Sequence, residues 1–409
     1  MNAIPERQIE VRAASAEEME AFGFVINTAL ATNDRAYRDP MRAMRPEWTL
    51  CAFEDGELAT VSGAWPFSMR FNGERVAVAG VSSVGTAPQK RRRGYLRRVM
   101  VQGLRDQRDR GQSLGVLYGS LAAIYQRFGY AVASAHYDYA IDPRDVRFAS
   151  GAEPDGEVRV SGIEALPLLK EIYRTFATPR NGLIHRGETL WRDGPFADVD
   201  VRDGPVYAAV YEEGEEALGY AIYTNREWEF GDAAERTQLL TLREMAWLTP
   251  SAHIALWRHL GAHDLVYRIR ARGMPEDDPL FHLLEEPRLL RRAMRDGVMW
   301  RVVDVEQALP QRPYGTAANL VFELDDPLCD WNCGVWELET DGPSATVRRS
   351  RRAAQLRLPV HSLSAMVSGF LSATALAEMG RVEVVDPTAL IDWDRAFATR
   401  YRPHCMDNF

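Results

Sequence analysis

Three consecutive arginines, Arg91, Arg92 and Arg93, run directly into Gly94, Tyr95, Leu96 and Arg97. Guanidinium groups beside a glycine suit the binding of a phosphate or pyrophosphate. The cations supply charge, and Gly94 lets backbone N–H groups approach with no side chain in between. The bare string equally suits a solvated helix start, a localisation patch or a nucleic-acid contact. Its flanks narrow the choice. Val76 to Thr86 is an apolar, β-branched run, and Arg92 to Arg110 reads as a helix ended by Gly111. The basic turn therefore joins a buried strand to a helix N-terminus, where the helix dipole and its N–H groups favour an anion. The chain as a whole carries a formal net charge of −9, which excludes a general polyanion binder, nucleic acid included, and leaves a focused anion site.

A second group of reactive types follows at Ser120, Leu121 and Tyr125. Tyr125 lies one turn into a helix read over Leu121–Phe128, where its phenol is either a proton donor or a core aromatic with a satisfied hydroxyl. Ser120 has no G-x-S-x-G around it and is expected to cap that helix. His259 and His263 stand at i, i+4 without a third ligand, and Cys329 and Cys333 lack a second pair, so no metal is expected.

The elements that must position these residues read from turn chemistry. Gln8–Ala13 is a strand, and Ser15 with Glu18 forms a capping box that opens a helix to about Ala31. Asp55-Gly56 and Asn72-Gly73 separate Trp48–Phe53, Leu58–Phe71 and Val76–Thr86 into antiparallel strands. Leu114–Tyr118 is a strand and Tyr130–Ile141 another, which completes an α/β fold around one mixed sheet. After a break at Asp142–Gly156 the scheme repeats loosely: a helix over Gly162–Thr178, a hairpin of Val206–Tyr211 and Ala217–Tyr223, a strand at Thr237–Met245, a helix over Ser251–Leu260 and a strand at Asp264–Ile269. Its loop, TPSAHIALWRHLG, has neither the arginine run nor the glycine, so this second copy has lost the anion site. A third segment begins near Met299, with a strand from Trp300 and small late helices, and the segments fall at 1–150, 151–298 and 299–409.

With 409 residues, 46% hydrophobic and 26% charged, the chain has the composition of a globular protein of two to three domains. No apolar run reaches the roughly 18–20 residues of a membrane span. Cys51, Cys329, Cys333 and Cys405 are too scattered for a disulfide framework, and a reducing, cytoplasmic setting is expected.

Arg91-Arg92-Arg93-Gly94-Tyr95-Leu96 resembles the acetyl-CoA loop of the GCN5-related N-acetyltransferases (GNATs), usually R/Q-x-x-G-x-G/A, with Leu96 in place of the final small residue. The stretch Met299-Trp300-Arg301-Val302-Val303-Asp304 and the late Leu- and Ser-rich helices resemble a sterol-carrier-like domain. With Val84-Gly85-Thr86-Ala87-Pro88 before the loop, Ser120-Leu121, Ile124 to Tyr130 and the terminal Phe409, the chain resembles the enhanced intracellular survival (Eis) acetyltransferases.

That resemblance implies tandem GNAT-like domains, the second degenerate, followed by a sterol-carrier-like domain. It implies a homo-hexamer that transfers acetyl from acetyl-CoA to amines of aminoglycosides or similar polyamines. Protein lysines, a small metabolite amine, or a non-catalytic acyl-CoA or lipid sensor are the alternatives. By resemblance Tyr125 is the general acid, the α-carboxylate of Phe409 is the base, and Val84, Gly85, Thr86, Arg91, Arg92, Arg93, Gly94, Tyr95, Leu96, Arg97, Ser120 and Leu121 meet the cofactor. His404 and Asp407 are rival bases. Asn408 and a first helix offering Asn27 and Asp34 give no evident acidic cluster for a polycation, while Phe22, Phe24, Tyr37, Trp65 and Phe67 suit either a substrate funnel or core.

Overall fold

The computed structural model describes residues 8–32, 43–149, 153–197, 204–227 and 236–409. Asp34 and Tyr37 lie outside the described residues. The chain divides into two compact units, the first of Met1–Ala133, Val298–Thr399 and Phe409, the second of Ser134–Gly297 and Arg400–Asn408.

In unit 1, strands β1 (Ile9–Arg12), β2 (Cys51–Glu54), β3 (Glu57–Phe71), β4 (Glu74–Thr86), β5 (Leu114–Leu117) and β6 (Ala131–Val132) form one sheet with β14 (Met299–Val302), in the order β1-β2-β3-β4-β5-β14-β6. Only β4 and β5 pair in parallel. Successive side chains of β2 choose opposite faces. Cys51 and Phe53 pack with Phe22, Val25 and Ile26 of α1 (Met19–Leu30), whereas Ala52 packs with Tyr95 and Val99 of α2 (Tyr95–Asp109), so the two helices cover the two faces. A five-stranded sheet and the helices Val360–Val367, Ala373–Glu378 and Leu390–Phe397 complete the unit. Arg301 of β14 is fully buried and binds the Asp326 carboxylate at 2.8 Å and the Phe128 carbonyl at 3.0 Å.

Two strands differ from the sequence reading. Tyr130–Ile141 is broken into β6 and β7 (Ala135–Ile141), and β7 joins the sheet of unit 2. The break is local: the Ala133 N–H donates to the Val298 carbonyl at 3.0 Å, the Gly297 N–H to the Ser134 carbonyl at 2.9 Å, and a Cβ on Gly297 would meet Ser134 Oγ. Met299–Val302, read as the start of the third segment, is instead an inner strand of the first sheet. Its four residues are all buried, as such a position requires, but periodicity does not say which neighbours it takes.

Unit 2 repeats the plan. Its strands are β7, β8 (Glu157–Ser161), β9 (Val206–Glu213), β10 (Glu216–Glu227), β11 (Gln238–Trp247), β12 (Val266–Pro275) and β13 (Arg291–Asp296), in the order β13-β7-β12-β11-β10-β9-β8 with β11 and β12 parallel. The helix α4 (Leu166–Ala177) covers the face bearing Ala208, Val210, Tyr220 and Ile222, and α5 (Pro250–Gly261) the face bearing Ala209, Tyr211, Ala221 and Tyr223.

The end of the chain is bound into unit 2 by buried charge. Arg186, 4.2 Å from the centroid of the Tyr173 ring and 4.7 Å from that of Trp191, donates to both oxygens of Glu244 at 2.8 and 2.6 Å and to Asp407 at 2.6 Å. The His404 N–H donates to the Asn181 carbonyl at 2.9 Å, and Gly182, at φ +93°, leaves no room for a Cβ against the His404 carbonyl. Burial, helped by Arg180, His136 and Arg186, pushes the His404 imidazole down to about 3.

His404 is thus neutral inside, while the unfolded chain protonates it near 6.5. Between those values the unfolded state binds the extra proton, so stability falls as pH drops below about 6.5, by on the order of 3 kcal/mol at pH 4.5 from this residue. Thermal melts across this range should show a shallower pH slope for His404→Gln than for wild type; an identical slope contradicts the assignment.

Candidate active site

The parallel pairing of β4 and β5 is short. It runs through Val78/Leu114, Ala79/Gly115 and Gly80/Val116 and stops, although β4 continues to Thr86. A bulge lies on that continuation. Ser83 and Val84 together stand opposite Ser62, and Ser83 takes φ +52°, while the Ser62 carbonyl, on the other edge of β3, accepts from the Leu50 N–H at 2.8 Å. Bulges add twist and bend their strand. Beyond Gly80 and Val116 the two strands are no longer paired, and β5 itself ends at Leu117, so the pair ends in a fork with β4 running on alone.

The predicted residues gather at this fork from several directions. The ring of Phe409 lies 5.0 Å from Phe67 of β3 and 5.6 Å from Tyr118, the residue after β5, and a Cβ on Gly80 would stand 3.3 Å from it. Gly80 is required there, because that same Cβ would overlap the Phe67 ring. Tyr125 sits on α3 (Ala122–Gln126), 6% exposed, in one apolar cluster with Ala79, Val81, Leu117 and Met299, against which Val84 and Leu96 also pack. The departure at Leu96 from a small residue thus has a structural reason, since its side chain joins the wall that holds Tyr125. Gly85 is close-packed under α1, where a Cβ would stand 2.8 Å from Ala29, and Thr86 is tied to Thr60 at 2.9 Å.

The basic turn is divided in its duties. Arg91 bridges the end of β4 to the last turn of α1, donating to the Thr86 carbonyl at 3.3 Å and the Ala29 carbonyl at 2.7 Å. Arg92 is exposed in the left-handed region at φ +66°. Arg93 turns inward to both oxygens of Glu54 at 3.0 Å. Gly94, at φ +83°, precedes α2, and nothing lies within 4 Å of where its Cβ would be. With no side chain to cap the helix, the first-turn N–H groups of Tyr95, Leu96 and Arg97 point beyond it. The helix begins at Tyr95, not Arg92, because Arg92 and Gly94 are both left-handed. The unit 2 counterpart is closed. Thr249 caps α5 through its own hydroxyl at 3.1 Å from the Ala252 N–H, and Pro250 lacks an N–H.

Ser120 is exposed and does not cap α3; the cap position is Leu121, in extended conformation and 64% exposed. Phe22 is core, fully buried against β2, whereas Phe24 is exposed and Trp65 and Phe67 are half-buried. Asp407 and His404 are both buried within unit 2, the first in its ion pair with Arg186. His259 is hydrogen-bonded to the Tyr223 phenol at 3.1 Å, and no cluster fit for a metal ion occurs among the described residues. Nor is any helix there long and apolar enough to cross a membrane.

Sequence reasoning passed over Trp48, Tyr118, Met299 and Glu54. Trp48 lies 5.5 Å from Trp65, which stacks at 6.1 Å on Phe67, so a ladder of rings runs from Trp48 to Phe409. Only the adjacency of Tyr118 to a strand end hinted at its place.

These features agree with what the chain is similar to. Family models described as an acetyltransferase (GNAT) domain match residues 10–133 and 182–302, and a sterol carrier protein domain matches 305–406. An uncharacterized N-acetyltransferase of Streptomyces avermitilis is 34% identical over 87% of this chain and 88% of its own length. The N-acetyltransferase Eis of Mycobacterium tuberculosis is 30% identical over 86% of this chain and 89% of its own. The crystal structure of Eis1 from Mycobacterium abscessus superposes with a TM-score of 0.84 at 28% identity, covering 98% of this chain and 100% of that one. A forked β4–β5 pair, an uncapped helix start after a basic turn, a second copy whose helix start is closed, and relatives alike along nearly their whole length lead to one conclusion: the chain belongs to the Eis-like N-acetyltransferases of the GCN5-related superfamily.

Proposed function

We propose that this N-acetyltransferase uses acetyl-CoA, and that it transfers the acetyl group to an amine at the fork between β4 and β5. The observation that carries the reading is the convergence of Phe409, Tyr118 and the Tyr125 cluster where that pairing ends, beside an uncapped helix start. Residues Val84–Thr86 of β4 offer backbone groups to the pantetheine and thioester. Ser120 and Leu121, exposed ahead of α3, extend the same surface, and Arg91, Arg92, Arg97 and the N–H groups after Gly94 meet the phosphates.

Tyr125 protonates the departing thiolate, a transfer driven as negative charge builds on sulfur. The Phe409 carboxylate, ordinarily near 3.5, is a weak base for an ammonium near 10. It acts by orienting the amine or by relaying its proton through water.

Aminoglycosides or similar polyamines are the acceptor class that family membership suggests. A specific observation favours a second class, a small amine on a flat or apolar body. The half-exposed rings Trp48, Trp65, Phe67 and Tyr118 lead to Phe409 and offer stacking faces and cation–π contact.

Assembly as a homo-hexamer belongs to the same proposal, and light scattering that returns a monomer removes it. Tyr125→Phe should lower kcat about a hundredfold while the KM for acetyl-CoA changes less than about threefold. Adding one glycine after Phe409 moves the carboxylate and should lower kcat at least about tenfold. Steady-state thiol release measures both. Unchanged kcat in the first variant removes Tyr125 as the acid, and in the second removes the terminal carboxylate.

A further inference from the structure

Glu54 ends β2 immediately before the Asp55-Gly56 turn, a place where a carboxylate ordinarily faces water, yet it is 3% exposed. Donors from three points of one short segment converge on it. Lys90, from the turn Pro88–Lys90, reaches Oε2 at 2.5 Å; Arg93 binds both oxygens at 3.0 Å; and the phenol of Tyr95, the first residue of α2, donates to Oε1. Lys90 also holds Glu57 at 3.0 Å, and Arg93 reaches back to the Gln89 carbonyl at 3.2 Å. The Lys90 ammonium foremost, then Tyr95 and Arg93, hold the Glu54 carboxyl down to about 2, so it is ionised throughout the physiological range.

Two consequences follow from this geometry. The first concerns the backbone. Between the anchored Lys90 and Arg93 lies Arg92, left-handed without being glycine, and left-handed Gly94 lies between anchored Arg93 and Tyr95. In a non-glycine residue such as Arg92 that conformation persists only where its surroundings fix it, and the shared carboxylate fixes both of its flanks, whereas Gly94 adopts it freely. The second concerns charge. Lys90 and Arg93 are balanced by Glu54 and Glu57 and Arg91 is tied to the Thr86 and Ala29 carbonyls, which leaves Arg92 at the turn, with Arg97 and Arg98 beyond it, as exposed cations.

We infer that Glu54 is a positioning residue for the cofactor loop. It clamps Lys90, Arg93 and Tyr95 so that the N–H groups after Gly94 and the guanidinium of Arg92 are held ready for the pyrophosphate of acetyl-CoA. This rests on the reading that the loop takes that pyrophosphate. Glu54 touches neither the acetyl group nor the amine, so its removal weakens cofactor capture and spares the chemical step.

The test compares acetyl-CoA with S-acetyl-pantetheine, which carries the same thioester and no pyrophosphate, in wild type and Glu54→Gln. The variant is expected to raise the KM for acetyl-CoA at least fivefold, to keep kcat within twofold, and to leave kcat/KM for acetyl-pantetheine within twofold. Equal losses with both thioesters mark a merely structural role and overturn the inference, as does an unchanged KM for acetyl-CoA. Should Glu54→Gln not fold, Tyr95→Phe removes one donor and no charge; it is expected to raise the same KM two- to threefold, and no change overturns the clamp. The parent reading fails separately, if wild type uses acetyl-CoA no better than acetyl-pantetheine.

Discussion

Everything at the site depends on the early end of the β4–β5 pairing. Parallel strands that stayed paired would bury the backbone groups of Val81 to Thr86 in a ladder and leave no opening. The bulge at Ser83 and Val84 bends β4, while Ser62 opposite it keeps its bond to Leu50 on the β2 side of β3. Phe409, Tyr118 and the Tyr125 cluster then have one place to meet, directly after Gly80, whose missing Cβ admits the Phe67 and Phe409 rings.

The two units differ at the place where the proposed anion site lies. Both carry helices on the two faces of a mixed sheet, and both run a parallel pair into a helix N-terminus. In unit 1 the helix start follows a glycine and is uncapped. In unit 2 a threonine hydroxyl and a proline occupy the same place. There β11 also runs past its last β12 partner, Leu242/Ala271, but Glu244 on that extension is occupied by Arg186, which also takes Asp407 of the chain's end. A family fold does not by itself confer a binding site, and under the proposed reading the first residues of one helix decide it.

Local chemistry made much of this legible from sequence. Asp55-Gly56 and Asn72-Gly73 specified hairpins, and both pairs take positive φ as such turns require. The Ser15–Glu18 capping box is present, and the basic turn stands between strand and helix as its flanks indicated. What escaped was non-local. Nothing local marks Glu54, beside the Asp55-Gly56 turn, as buried, because its partners lie far along the chain, and nothing in the runs Trp48, Trp65, Phe67 and Phe409 announces that they share a ladder of rings. Four apolar residues at Met299–Val302 specify a buried strand, but the sheet it enters is set by tertiary packing. Ser120 was a reasonable helix cap by type, yet the helix begins one residue later than such a cap requires.

The most direct measurement is thiol release from acetyl-CoA by the wild-type chain across an aminoglycoside, a linear polyamine, an arylalkylamine and a lysine peptide, with each product weighed by mass spectrometry. Amine-dependent release, with one acetyl group gained by at least one acceptor for each CoA freed, is the predicted result. Firm binding of CoA with no release for any amine would contradict acetyl transfer at the fork.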